Sequence, residues 1–331
     1  MDSLTQIVLG AAVGEATLGK TMGNKAMLYG AIAGTIPDLD VLSSNFVDTV
    51  TALEIHRGFT HSIVFSVVFG GFFAWLTSLY EKRATFKQWY WLWFMCFITH
   101  PFLDAHTTWG TQLFWPFDLR LAYKNIFVID PLYTLPFLVC VIWTAFLKRG
   151  SEKRRKINNA GLLISSSYMV ITLILKGITY HKFTNALDEQ NIAYKAIETK
   201  PSPFNTILWT ANVEVDDAFL IGDYSFFDSK PIQFYRHPKN HAALGDLRNE
   251  NKVQRLIAIS NGWYAISEKN DATYFNDLRF GLLSVDPQTD KCAFSYQLQQ
   301  TSEGLNVIEE PKNRDDAKKL LADLWERVLG N

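Results

Sequence analysis

The apolar positions divide this 331-residue chain in two. Through the first 180 residues they form long runs: Leu4 to Gly19, Ala26 to Ile36, Ser62 to Tyr80, Trp89 to His106, Ile126 to Leu147 and Ala160 to Ile178. The last four reach or approach the roughly 20 residues that cross a bilayer. The first two are short and rich in glycine and alanine, as in Gly10-Ala11-Ala12-Val13-Gly14, which suits close helix contact. Residues 1–180 are therefore expected to form an all-α integral membrane bundle of about six hydrophobic helices. Beyond them the period changes. Thr206 to Val215, Ala218 to Ile221, Val253 to Ser260, Trp263 to Ile266 and Ala293 to Leu298 cluster β-branched and aromatic residues between turn residues, and predict strands. Pro201-Ser202-Pro203 breaks any helix. Near the end Ala317, Leu320, Leu321, Leu324, Val328 and Leu329 recur at helical spacing after a cap at Asn313. Residues 181–331 are expected to be a small soluble α+β domain.

Charge sharpens the division. The mean hydropathy of zero averages two unlike halves, since only 11 of the 33 acidic residues fall within the first 180 positions. Lys20 and Lys25, then Lys82, Arg83 and Lys87, then the run Lys148 to Lys156 flank alternate connections, and the positive-inside rule makes that side cytoplasmic. A multi-pass inner-membrane protein follows, with loops 37–60 and 107–125 and the C-terminal domain on the extracytoplasmic side. Met1-Asp2-Ser3 lacks a basic leader region, so the first segment is expected to remain in the mature protein. The basic run reads as topogenic charge, and no nucleic-acid partner is expected. Cys96, Cys140 and Cys292 have no disulfide spacing and predict free thiols. No P-loop, dinucleotide fingerprint or serine-hydrolase elbow is present.

Within the apolar half, three strings carry ionisable residues that are costly there unless something binds them: Pro37-Asp38-Leu39-Asp40, His56-Arg57-Gly58-Phe59-Thr60-His61 and Thr99-His100-Pro101-Phe102-Leu103-Asp104. Carboxylate with imidazole is the ligand set of Zn²⁺ and similar ions. His100 and Asp104, four apart, share a helix face. Asp38 and Asp40 can point to one side of a loop, or one can bind metal while the other orients a ligand imidazole. Gly58 gives His56 and His61 freedom to face one centre, and Arg57 offers a guanidinium fork to an anion. Asp130, before Pro131, is a further ligand, an orienting partner or a helix cap; we count it with the site. Glu15 serves either the site or a helix contact. His106, Trp109, Trp115 and Phe117 read as interface residues or as the mouth for a lipid-like substrate.

The first 180 positions resemble the YdjM/YbcI-like family of membrane-bound, metal-dependent hydrolases, through Met1 to Gln6, Gly34 to Asp40, His56 to Ser62, Thr99 to Asp104 and Ile129-Asp130-Pro131. The histidine pattern is also distantly similar to zinc-dependent phospholipase C and single-strand nuclease sites. Family members often carry Thr-His near the start, where this chain has Thr5-Gln6, so one metal position is lost or rebuilt with Glu15. The resemblance implies a hydrolase acting on a phosphate ester or phospholipid through a metal-activated water. Its metal would be zinc or a similar divalent ion held by Asp38, Asp40, His56, His61, His100, Asp104 and Asp130, with Arg57 on the substrate and Asp38 or Asp40 taking the proton. A metal transporter would instead place ligands at the midplane in a repeat. A non-enzymatic protein would close the metal with four ligands.

Overall fold

Two glycine ridges set the first packing contact. Helix α1 (Ser3–Met22) turns at Gly23 (φ 60°) into α2 (Asn24–Thr35). A Cβ on Gly10 would stand 2.1 Å from the Gly30 carbonyl oxygen, one on Gly14 2.2 Å from that of Ala26, and one on Gly34 2.3 Å from that of Gln6. The two backbones therefore touch, and only glycine permits it at those positions. The small-residue pattern at the start of the chain is thus a helix–helix seam.

The computed structural model describes residues 1–283, 289, 291–302, 304–311 and 314–331, with the backbone alone over 314–320. It divides into two compact units. The first comprises Met1–Ser43, Ile55–Ile174 and Pro203–Asn205; the second comprises Ser44–Glu54, Leu175–Ser202 and Thr206–Asn331.

The first unit adds α4 (Ile63–Tyr80), α5 (Phe86–Asp104), α6 (Pro131–Phe146) and most of α7 (Glu152–Glu189). Its core is built on Val8, Leu18, Trp89, Leu92, Phe97 and Phe137. Local sequence starts each helix. Asp2 accepts the Thr5 amide, Ser62 accepts the Phe65 amide, and Thr85 with Gln88 forms a capping box. Asp130 accepts the Leu132 and Tyr133 amides, with Pro131 in the first turn.

The expectation of about six membrane-crossing helices is overturned. Among the described residues two helices, α4 and α7, are long and apolar enough to cross a bilayer, and α6 is a shorter apolar helix. The reason is length and composition. At 1.5 Å per residue α2 is about 18 Å long and α6 about 24 Å, while α1 carries Glu15 and Lys20 and α5 carries Lys87, His100 and Asp104. Both qualifying helices present apolar side chains outward, Val68 and Trp75 on α4 and Leu163, Val170 and Ile174 on α7. A core helix of a water-soluble protein buries such residues instead. The expected boundary near residue 180 is also absent as a break, because α7 continues to Glu189.

The second unit corrects the α+β expectation. Its framework is two four-stranded antiparallel meanders: β1 (Ala196–Pro201), β2 (Leu208–Glu214), β3 (Ala218–Ser225) and β4 (Phe234–Pro238), then β5 (Tyr264–Lys269), β6 (Ala272–Leu282), β7 (Cys292–Thr301) and β8 (Gly304–Glu309). Val253 to Ser260 is not a strand; Val253 to Ile259 lie in α8 (Asn251–Ile259), with Ser260 as its C-cap, and Val253, Leu256 and Ile257 follow the three-and-four spacing of a helix face. That face joins Tyr264, Phe275 and Tyr296 in a core that also takes Val50 from α3 (Thr49–Ile55). Arg255 completes this contact with a bidentate pair to Glu54 at 2.8 and 2.6 Å. The last helix, α9 (Arg314–Val328), buries Leu324 and Val328 and leaves Leu321 exposed, with Leu329 exposed just beyond its end. Its expected cap, Asn313, and the side chains of Ala317 and Leu320 lie outside the described residues.

Candidate metal centre

Four residues from three segments converge in the first unit. Asp38 comes from the 3₁₀ stretch Pro37–Asn45 that follows α2, His61 from the turn Phe59–His61 that precedes α4, and His100 and Asp104 from the last turns of α5. One ligand atom from each lies within 4.8 Å of all the others. The two Nε2 atoms are 3.2 Å apart. Asp38 Oδ1 stands 3.3 Å from His61 Nε2 and 3.4 Å from His100 Nε2, while Asp104 Oδ2 stands 3.4 and 3.7 Å from the same two atoms. Four ligands at zinc-like bond lengths of about 2.0–2.1 Å form a tetrahedron with edges of about 3.3–3.4 Å. Five of its six edges are therefore matched to within a few tenths of an ångström.

The protonation of the rings points the same way. His100 Nδ1 lies 2.8 Å from the Gly34 carbonyl oxygen, which can only accept, so Nδ1 carries the proton. His61 Nδ1 lies 3.0 Å from Thr60 Oγ1 and 3.4 Å from Asp40 Oδ2, and Thr60 in turn donates to Asp40 at 3.1 Å. His61 Nδ1 is thus the donor there as well. When neutral, both rings turn Nε2 lone pairs toward one another, an arrangement that a shared cation stabilises. Asp104 Oδ2 is fully buried and accepts no well-aligned hydrogen bond, although Arg57 Nε is 3.1 Å away. An orphaned carboxylate oxygen facing two imidazole lone pairs fits a divalent ion.

Asp40 and His56 form an outer layer rather than part of the four-residue group. Asp40 Oδ1 meets His56 Nδ1 at 3.0 Å, and its Oδ2 accepts the Arg57 amide at 2.7 Å. Of the two roles open to this carboxylate in the sequence, the geometry matches that of orienting a ligand imidazole. His56 is partly exposed against Trp109, whose indole donates to the His56 carbonyl at 3.4 Å. Arg57 adopts a left-handed backbone (φ 58°), costly for a non-glycine residue, and its buried guanidinium donates to Thr107 Oγ1 at 2.8 Å. Asp130 also falls outside the group. It caps α6, and its second oxygen accepts the Tyr168 hydroxyl at 2.9 Å.

Gln6 and Glu15 part company. Gln6 Nε2 donates to Asp104 Oδ1 at 2.8 Å and to the His100 carbonyl at 3.3 Å, so it positions two of the four residues; the Met1 α-amino group also meets Asp104. Glu15 instead pairs with Arg154, through Nε at 2.7 Å and Nη2 at 2.6 Å, and does not rebuild a ligand position. Thr60 and the Gly34 carbonyl join the centre without having been among its candidate residues. Thr60 had a signal in its place beside His61, whereas the carbonyl had none.

Charge distribution is consistent with ligand roles. Burial opposes ionisation of Asp38, yet hydrogen bonds with His100 and His61 outweigh it and hold the carboxyl well below 3.8. At Asp40 the same opposition is overcome by His56, His61 and the Arg57 amide, and the pKa is again lowered. Burial disfavours charge on His61, but Asp104 and Asp38 reverse the balance and raise it above 6.5. Carboxylates held this low suit ligation and orientation better than proton acceptance near neutral pH.

The model of the YdjM inner membrane protein family matches residues 1–179, the stretch that supplies every residue of this centre. The chain belongs to that family. Two curated relatives are similar in sequence. The uncharacterized protein YfhP of Bacillus subtilis is 30% identical over 155 residues, covering 44% of this chain and 47% of its own length. The inner membrane protein YbcI of Escherichia coli is 28% identical over 112 residues, covering 34% of this chain and 64% of its own length. The chain thus spans about half to two thirds of the relatives it matches. No solved structure matches. The family's name agrees with two helices fit to cross a membrane and with the resemblance read from the motifs.

Proposed function

We propose that the protein is a membrane-bound metal-dependent hydrolase acting at the extracytoplasmic face on a phosphate ester with a lipid-like portion. The observation that carries the metal is the convergence of two Nδ1-protonated imidazoles with Nε2 atoms 3.2 Å apart, flanked by Asp38 and Asp104. A divalent ion held there, zinc by its ligand set, supplies Lewis acidity and a water of lowered pKa. Asp38, the one partly exposed member of the four, marks the side open to substrate. Arg57, held by Asp104 and Thr107, puts positive charge in the wall and favours an anionic substrate. Leu39 and Val41, on the same 3₁₀ stretch as Asp38, leave exposed apolar surface beside the centre, which suits an amphiphile.

Metal analysis of purified protein with His61→Ala and His100→Ala tests the centre. One bound ion in wild type and loss from both variants is expected, with affinity falling by more than the roughly 10–100-fold that removal of an orienting partner costs. Unchanged metal content in both variants overturns it. A screen of phosphodiesters, phospholipids and peptides then tests the chemistry, and turnover of peptides alone overturns the phosphate assignment. One observation favours a second reading: four protein ligands already complete a tetrahedron, the mark of a bracing metal. In that case chelation lowers thermal stability in a protein that turns over none of the substrates.

A further inference from the structure

We infer that Val50 and Arg255 of the second unit are positioning residues for the Asp/His centre of the first, because they hold α3, the tether between its two loop-borne strings. The role rests on the metal reading of that centre.

Chain order interleaves the two units. Asp38 and Asp40 precede α3, and His56, Arg57, Thr60 and His61 follow it, all in the first unit; the segment between them, Ser44–Glu54, belongs to the second. Val50 is fully buried there with Val253 and Leu256 of α8 and with Tyr264 and Phe275 of the β5–β8 sheet, and Leu53 packs against the same core. Arg255 adds its fork to Glu54 and donates to Thr51 Oγ1 at 2.9 Å. The middle of the loop is thus anchored on a folded domain while its two ends carry site residues.

Those ends close on each other at the centre. Asp40 accepts the Arg57 amide, 17 positions on, at 2.7 Å and the Thr60 hydroxyl, 20 positions on, at 3.1 Å. Closing a free loop costs chain entropy, and docking its middle removes part of that freedom beforehand. The junction after α3 is tight. The Gly58 amide donates at 2.9 Å to the carbonyl of Ile55, the last residue of α3, and the His61 amide donates at 3.0 Å to the Gly58 carbonyl. Two successive turns therefore carry the direction of α3 to His61. Between them Arg57 keeps its left-handed φ, a conformation that persists only where its surroundings over-determine it. Asp40 fixes Arg57 from one side, and docked α3 supplies the fixed point on the other.

Hydrogen exchange of the full-length protein in micelles follows the Arg57, Gly58 and His61 amides, and competition with a chelating dye gives the affinity for zinc. Val50→Asp places a carboxylate in the apolar core and is expected to release α3. Exchange at the three amides should then rise about tenfold or more, and zinc should bind about tenfold or more weakly, as when an orienting partner is removed. Arg255→Ala leaves that core intact and is expected to speed the same amides a few-fold, the size of a partly exposed ion pair. Glu54→Arg/Arg255→Glu is expected to restore protection, and exchange in β5–β8 should stay at the wild-type rate in both Arg255 variants. Faster exchange confined to α3 and α8 in the two single variants, or zinc affinity unchanged by Val50→Asp, overturns the role. Wild-type protein that binds no zinc overturns the metal reading instead, and the three amides still decide whether α3 is the tether.

Discussion

The Asp/His centre and the Glu15–Arg154 pair both bury charge against α1, about 13 Å apart by helix rise along that helix, and they resolve it in opposite ways. Glu15 and Arg154 meet as fork and carboxylate, and the Leu147 carbonyl takes a further guanidinium hydrogen at 2.9 Å. The pair is complete within the protein. At the other site Asp104 Oδ2 lacks a hydrogen bond and two imidazole lone pairs face each other. Ionisable residues in an apolar half are thus not one class of signal: what separates a brace from a ligand site is whether the protein's own partners exhaust the lone pairs.

The comparison can be broken at the brace first. Arg154→Ala leaves a buried carboxylate unpaired and is expected to destabilise the protein by about 3–5 kcal/mol, whereas Glu15→Leu with Arg154→Met is expected to be neutral or stabilising. Metal content should stay at the wild-type level in the double variant. Thermal denaturation with metal analysis reads both. A double variant as unstable as the single one, or one lacking metal, would show that the pair does more than hold helices together.

A smaller effect sharpens the other side. Asp40→Asn removes the carboxylate behind His61 but keeps its size, and metal affinity is expected to fall by about 10–100-fold. The loss should be partial, unlike that of His61→Ala. Competition titration against a chelating dye measures it. Abolition of binding would make Asp40 a ligand; no change would mean that Thr60 alone fixes the ring.

These contrasts explain what was legible in the chain. The strings around Asp38, His61, His100 and Asp104 were readable because each puts costly groups among apolar residues, and the offset of His100 and Asp104 fixes a common face. Sequence could not divide inner from outer layer, since Asp40 is two positions from Asp38 and His56 five from His61, and only folded geometry spends their atoms differently. Glu15 was ambiguous because its partner lies 139 positions away. Membrane helices were over-counted because an apolar run says nothing of where helix ends and polar inserts fall, as in α2 and α5. Val253 to Ser260 failed for another reason: its β-branched residues favour a strand by type, while their spacing follows a helix.

The subtlest contrast is in pH. His61 has its pKa raised by neighbouring carboxylates, so in metal-free protein its charged form stabilises the fold below the unfolded pKa of about 6.5, and that contribution is lost as pH rises through the higher folded value. Metal needs the same Nε2 unprotonated, so binding strengthens as pH rises. The two slopes oppose each other. The stability difference between metal-loaded and chelated protein, followed through their melting temperatures, is therefore expected to widen from pH 6 to pH 8, by up to about 1.4 kcal/mol per pH unit per linked proton. Taking the difference cancels groups remote from the centre, including the Glu15–Arg154 pair. A difference that is constant or shrinks with rising pH would mean that the metal displaces no proton from His61, and that the ring is not a ligand.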